Sequence, residues 1–172
     1  LTGTFGSLRA LAFTASLTFE QSYDEVEGDS ASSAELYAIL TALAGIPIRQ
    51  DIAVTGSVDQ FGHIQAVGGV TQKVEGFFDV CKAGGLSGTQ GVIIPRTNIA
   101  HLTLRPDVVD AVGRGQFHVW AVERIEEGLE ILTGIAGGTP GPAGRYPEGT
   151  VLGRVAGALD RMHEAARPEL PA

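Results

Sequence analysis

Two glycine pairs, Gly68-Gly69 and Gly84-Gly85, bracket an amphipathic stretch and restrict what the middle of this chain can become. Between them Val70, Val74, Phe77, Phe78 and Cys81 recur at helical spacing, so a helix is expected from Val70 to Ala83, stopped by glycine. Ahead of the first pair, Ile52 to Thr55 reads as a short strand. The turn Asp59-Gln60-Phe61-Gly62 follows, and His63 to Val67 returns as the strand's partner. After the second pair, Gly91 to Pro95 carries the apolar run Val92-Ile93-Ile94, a strand buried on both sides.

The same alternation extends in both directions. Leu11, Phe13, Ala15, Leu17 and Phe19 alternate with smaller or polar residues, so Leu8 to Glu20 reads as a strand or hairpin arm, and Gln21 to Asp29 as an acidic loop. Ala31 to Ala44 reads as a helix with Leu36, Ile39, Leu40 and Leu43 on one face, ended by Gly45 and Pro47. Pro106 to Arg114 is a helix with proline in its first turn, Phe117 to Val122 a strand, and Ile125 to Leu132 a short helix. A Gly/Pro-rich loop spans residues 134–149, and a last helix spans 150–166. The expected fold class is α/β (α+β), one domain over 1–172 with a mixed β-sheet and flanking helices.

Composition narrows the function. A formal charge of −8 argues against nucleic acid as a partner. No apolar run is long enough to span a membrane. Cys81 is the only cysteine, so no internal disulfide forms, which fits a reducing, cytoplasmic setting. The histidines His63, His101, His118 and His163 are not spaced as metal ligands, and neither H-E-x-x-H nor G-x-S-x-G occurs.

Two places carry candidate chemistry. In Glu27-Gly28-Asp29-Ser30-Ala31-Ser32-Ser33-Ala34-Glu35, Ser32 and Glu35 match a capping box, which leaves Ser30 spare at the mouth of a helix. Amides at a helix start can stabilise an oxyanion. Two readings of this stretch stand open: helix capping alone, or capping with Ser30 as a nucleophile. The chain has only two lysines, Lys73 and Lys82, on opposite flanks of one helix. Lys82, near the C-terminal end, has the ordinary solvated placement. Lys73, near the start and beside Val70 and Phe77, is expected to be partly buried, which favours a neutral amine able to take a proton from serine. A surface lysine snorkelling over apolar neighbours is the other reading.

EGDSAS before an apolar helix, followed by VTGSVDQFGHIQAVGGVTQKVEGFF, resembles the proteolytic domain of Lon proteases. The resemblance covers most of the chain. It implies Ser30 as nucleophile, Lys73 as general base, Thr55 as the hydroxyl that positions the lysine, and helix-start amides as part of an oxyanion hole. Asp29 directly before the nucleophile resembles the archaeal-type and Lon-like subgroups, where it either tunes the lysine or holds the loop inactive. The implied function is a serine endopeptidase with a Ser-Lys dyad, degrading unfolded proteins and peptides inside a homo-oligomeric, hexameric chamber. An ATP-driven AAA+ module ahead of Leu1 is implied too, with no cofactor in this domain and ATP/Mg entering only through that module. A catalytically silent Lon-fold module and a small-substrate esterase or amidase are the alternatives.

Overall fold

The computed structural model describes residues 14–17 and 28–166. Apart from 14–17, the strand expected over Leu8–Glu20 lies outside them, as does most of the acidic loop.

In chain order the elements are α1 (Ser32–Ala44), β1 (Ile52–Val54), β2 (Ser57–Val58), β3 (Ile64–Gln65), α2 (Val70–Gly84) and β4 (Gly91–Pro95). A 3₁₀ turn (Arg96–His101) follows, then α3 (Pro106–Gly113), β5 (His118–Val122), α4 (Ile125–Thr133) and α5 (Val151–Ala165). The fold is α/β, with parallel and antiparallel strand pairs and flanking helices. Strands β1, β4 and β5 form a parallel sheet in that order, with Val54 opposite Ile93 and Ile93 opposite Trp120.

The apolar run of β4 explains the layering. Successive side chains on a strand point to opposite faces, so Ile93 enters one core and Val92 and Ile94 the other. The Ile93 side is filled by Tyr37 and Leu40 from α1, Leu129 and Leu132 from α4, and Val151, Leu152 and Val155 from α5. The opposite side is filled by Val70, Val74, Phe78 and Cys81 from α2 and Val108 and Ala111 from α3. Both crossovers, β1 to β4 through α2 and β4 to β5 through α3, step the same way across the sheet. A single handedness of crossover then places both helices on one face.

Two sequence expectations are corrected here. The partner of the returning arm is not Ile52–Thr55. β3 pairs antiparallel with β2, with Val58 opposite Ile64, whereas β1 pairs with β4. The break falls at Gly56, whose N–H donates to the Ser30 carbonyl (2.9 Å) and whose carbonyl accepts from Ser33 N–H (3.2 Å) and Ser33 Oγ (2.8 Å). The peptide that would have continued β1 is spent on the turn before α1. A Cβ at Gly56 would press on Ile64, Pro95 and Ser33, so glycine suits this crowded corner.

The capping box does not form either. Ser32 is the first helical residue, the cap position is Ala31, and no side chain caps the helix. Ser32 Oγ accepts from Val58 N–H instead, at 3.1 Å. The buried stripe of α1 is accordingly rotated to Ser33, Tyr37, Leu40 and Thr41, with Leu36, Ile39 and Leu43 only half-buried. At its other end α1 stops as expected, on Gly45 in a left-handed conformation (φ 64°).

Candidate active site

Three segments distant in sequence meet at the start of α1: the turn Gly28–Ala31, the β1–β2 corner around Thr55–Ser57, and the first turns of α2. Backbone hydrogen bonds bring them together. Thr55 N–H donates to the Ile93 carbonyl (3.0 Å), which extends the β1–β4 ladder and fixes Thr55 at the sheet's end. The Ser30 carbonyl receives Gly56 N–H, and Thr55 Oγ1 lies 3.5 Å from the same oxygen. Thr55 is buried and Ser30 half-buried.

Lys73 approaches from α2. The cap of this helix is Gly69, in a left-handed conformation (φ 68°), and Lys73 N–H closes the first helical turn on the Gly69 carbonyl (3.0 Å). A positive φ at this point is cheap only for glycine. From there Lys73 Nζ reaches Thr55 Oγ1 at 3.3 Å. Ser30, Thr55 and Lys73, separated along the chain, thus form one constellation with Thr55 in the middle. Among the described residues Thr55 Oγ1 is the hydrogen-bond partner of Lys73 Nζ, and Ser30 Oγ does not bond the amine directly.

The partial burial expected of Lys73 is not found. Its neighbour Val74 faces the core, which turns Lys73 itself to the exposed flank of α2. Lys82 has the ordinary setting expected for it: exposed, paired with Asp107 at 3.1 Å and lying over the Phe78 ring.

Asp29 joins the cluster by another contact. Its Oδ2 accepts from Ser57 Oγ at 2.6 Å, which ties the turn before α1 to the start of β2. The first amides of α1 are also committed. Ser32 N–H donates to the Asp29 carbonyl (3.0 Å) and Ser33 N–H to the Gly56 carbonyl (3.2 Å). These two amides are therefore engaged within the fold. The serines Ser32, Ser33 and Ser57 were missed as positioning groups, because each acts on a backbone or carboxylate group more than twenty residues away.

Two of the histidines are engaged elsewhere. His63 Nδ1 pairs with Asp59 (3.0 Å) and His118 Nε2 with the Gly88 carbonyl (2.9 Å). Among the described residues no three His, Cys, Asp or Glu side chains gather as metal ligands, and no helix is long and apolar enough to cross a membrane. One threonine hydroxyl thus links the Lys73 amine to the backbone carbonyl of Ser30.

Comparison with known proteins decides the family. A sequence model of the Lon protease (S16) C-terminal proteolytic domain matches residues 25–134, which hold all three segments of the site. The chain belongs to the Lon protease family.

Within that family it is 56% identical over 122 residues to a putative Lon protease homolog of Escherichia coli K12, covering 71% of this chain and 21% of that protein. A putative Lon protease homolog of Haemophilus influenzae is 53% identical over 124 residues, covering 72% of this chain and 21% of the relative. The archaeal Lon protease of Pyrococcus abyssi is 42% identical over 113 residues, 66% of this chain and 10% of its own length. The chain therefore spans about a fifth or less of these relatives, and it corresponds to the proteolytic part of the Lon architecture. Helix α5 lies beyond the matched range, yet Val151, Leu152 and Val155 are fully buried in the core under α1.

Proposed function

We propose that this Lon domain is a serine endopeptidase in which Ser30 is the nucleophile and Lys73 the general base. The observation that carries the reading is the hydrogen bond from Lys73 Nζ to Thr55 Oγ1, on a threonine that also abuts the Ser30 carbonyl. Membership of a protease family supports it.

The steps follow from the groups present. Once deprotonated, the Lys73 amine takes the Ser30 hydroxyl proton as Ser30 Oγ attacks the substrate carbonyl. The tetrahedral intermediate collapses, the C–N bond breaks, and the leaving amine takes the proton from Lys73. Lys73 then removes a proton from water as the water oxygen attacks the acyl ester, the ester C–O bond breaks, and Ser30 Oγ takes the proton back from Lys73. Thr55 keeps the amine from wandering among its rotamers, which matters for an exposed lysine. With the Ser32 and Ser33 amides engaged, the oxyanion falls to the amides of the Ser30–Ala31 turn.

No cofactor takes part in this scheme. Unfolded proteins and peptides are the proposed substrates, reached inside a hexameric ring of a longer, cytoplasmic protein with an AAA+ module, through which ATP and Mg would act. These wider features rest on kinship with Lon proteases. The test is turnover of an unfolded protein, a fluorogenic peptide and a small ester by wild type and by Ser30→Ala. Peptide and protein cleavage abolished in a folded Ser30→Ala variant supports the reading. Ester turnover without peptide cleavage favours the small-substrate alternative, and no turnover in wild type favours a silent module.

A further inference from the structure

We propose that Asn98 is a positioning residue for Lys73, a role that rests on the reading of Lys73 as the base. The Asn98 side chain clips one backbone unit from both sides. Its Oδ1 accepts from Val67 N–H at 3.1 Å and its Nδ2 donates to the Val67 carbonyl at 2.9 Å. A primary amide can satisfy an N–H and a C=O of the same residue in only one orientation, so the pair of bonds fixes Asn98 as well as Val67.

The clip lies where it controls the start of α2. β3 ends at Gln65, so Val67 is past the reach of the hairpin ladder. Gly68 and Gly69 follow, the two most conformationally permissive residues available. Gly69 caps α2 and its carbonyl receives Lys73 N–H. With Val67 pinned, the glycine pair has one fixed end and the helix begins in one place. Val70 and Val74 seat α2 in the core, so release of Val67 acts on the Gly68–Gly69 cap and the backbone of the first turn, where the exposed Lys73 side chain has no packing of its own to correct a shift.

The anchor is common to both ends of the Lys73–Thr55 contact. Asn98 sits in the 3₁₀ turn directly after β4, and the β4 residue Ile93 holds Thr55 N–H through its carbonyl. One continuous stretch, β4 with its following turn, therefore holds Thr55 through the sheet ladder and the approach to Lys73 through Asn98. The separation of base and threonine depends on both attachments.

The experiment compares steady-state cleavage of a fluorogenic peptide by the full protein carrying this chain, as wild type, Asn98→Ala, Asn98→Asp and Lys73→Ala, with folding followed by circular dichroism and thermal melting. Asn98→Ala is expected to lower kcat by about tenfold or more, as misplacement of a catalytic group by about 1 Å does, and to leave KM within about threefold. Asn98→Asp keeps the acceptor for Val67 N–H and loses the donor, so it should recover part of the lost kcat. Wild-type kcat in Asn98→Ala, or a loss matched by the fraction unfolded, overturns the role. Should Asn98→Ala fail to fold, Asn98→Asp decides alone, and wild-type kcat there overturns it. Full activity in Lys73→Ala defeats the reading of Lys73 and this role with it, whereas an inactive Lys73→Ala beside a fully active Asn98→Ala defeats only the role of Asn98.

Discussion

Lys73 donates to Thr55 across 3.3 Å, joining the start of a helix to the end of a strand eighteen residues earlier in the chain. On the proposed mechanism that bond gives Thr55 a chemical task as well as a structural one. Thr55→Val keeps the shape and deletes the hydroxyl. It is expected to lower kcat for peptide cleavage by about 10- to 100-fold, the cost of a loosely placed base, with thermal stability nearly kept. Thr55→Ser should retain most activity. Equal activity in all three proteins would show that the hydroxyl is idle.

The two lysines give a contrast that needs no structural perturbation. Lys73→Arg should be inactive, because a guanidinium stays protonated and cannot accept the serine proton. Lys82→Arg keeps a cation beside Asp107 and should cleave peptide at the wild-type rate. Comparable rates in the two variants would remove lysine from the mechanism.

Ser32 separates placement from chemistry. Its hydroxyl holds Val58 N–H and does not cap α1. Ser32→Ala should cost about 1 kcal/mol in urea unfolding, the usual value of one hydrogen bond, and the variant should stay active. A Ser32→Ala variant of native stability and no activity would reassign the nucleophile.

These outcomes bear on what was legible in the chain. The run Val92-Ile93-Ile94 announced a strand buried on both faces, and the periodicity of Val70 to Cys81 announced α2, because burial leaves a local pattern. The glycines 45, 69 and 85 marked helix ends for the same local reason. The pairing of β2 with β3 was not legible, because Gly56 ends β1 by bonding residues far upstream, and no pattern within Ile52–Val67 records that. Ser32 matched a capping box in sequence, but its hydroxyl found a strand amide more than twenty residues away. At the site, Ser30, Lys73 and Thr55 were named from the text of the motifs, and the exposure of Lys73 was missed. Helical phase places it on either flank of the stripe, and the direction taken by Val74 decides.

Tyr37 offers a test of the core beneath the site. Its hydroxyl is buried with no hydrogen-bond partner among the described residues, and it lies against Gly128 of α4, where a Cβ would collide with it. Gly→Ala inside a helix ordinarily stabilises by up to about 1 kcal/mol. Gly128→Ala should instead destabilise by about 1–3 kcal/mol through overpacking. Tyr37→Phe alone should be neutral or stabilising, because it removes a polar atom that has no partner, and it should relieve Gly128→Ala in the double variant. Urea unfolding of the four proteins reads the cycle, and additive effects would contradict the contact.

The same hydroxyl predicts an alkaline response. Burial, with Glu126 and then Glu127 adding repulsion, raises its ionisation well above the ordinary 10.0. The unfolded chain then releases this proton at lower pH than the native one. The contribution to stability is full below pH 10.0 and is lost as pH climbs above it. Wild type should lose stability more steeply than Tyr37→Phe in that range, and identical slopes would place the hydroxyl in contact with solvent.

On the proposed mechanism Ser30 is a nucleophile made reactive by Lys73. The most direct measurement is mass-spectrometric mapping of the adduct left by a serine-reactive phosphonate, with labelling rates for wild type and Lys73→Arg. An adduct on Ser30 is expected, formed at least about 100-fold more slowly in Lys73→Arg through loss of the general base. An adduct on another residue, or labelling of Ser30 at the wild-type rate in Lys73→Arg, would contradict it.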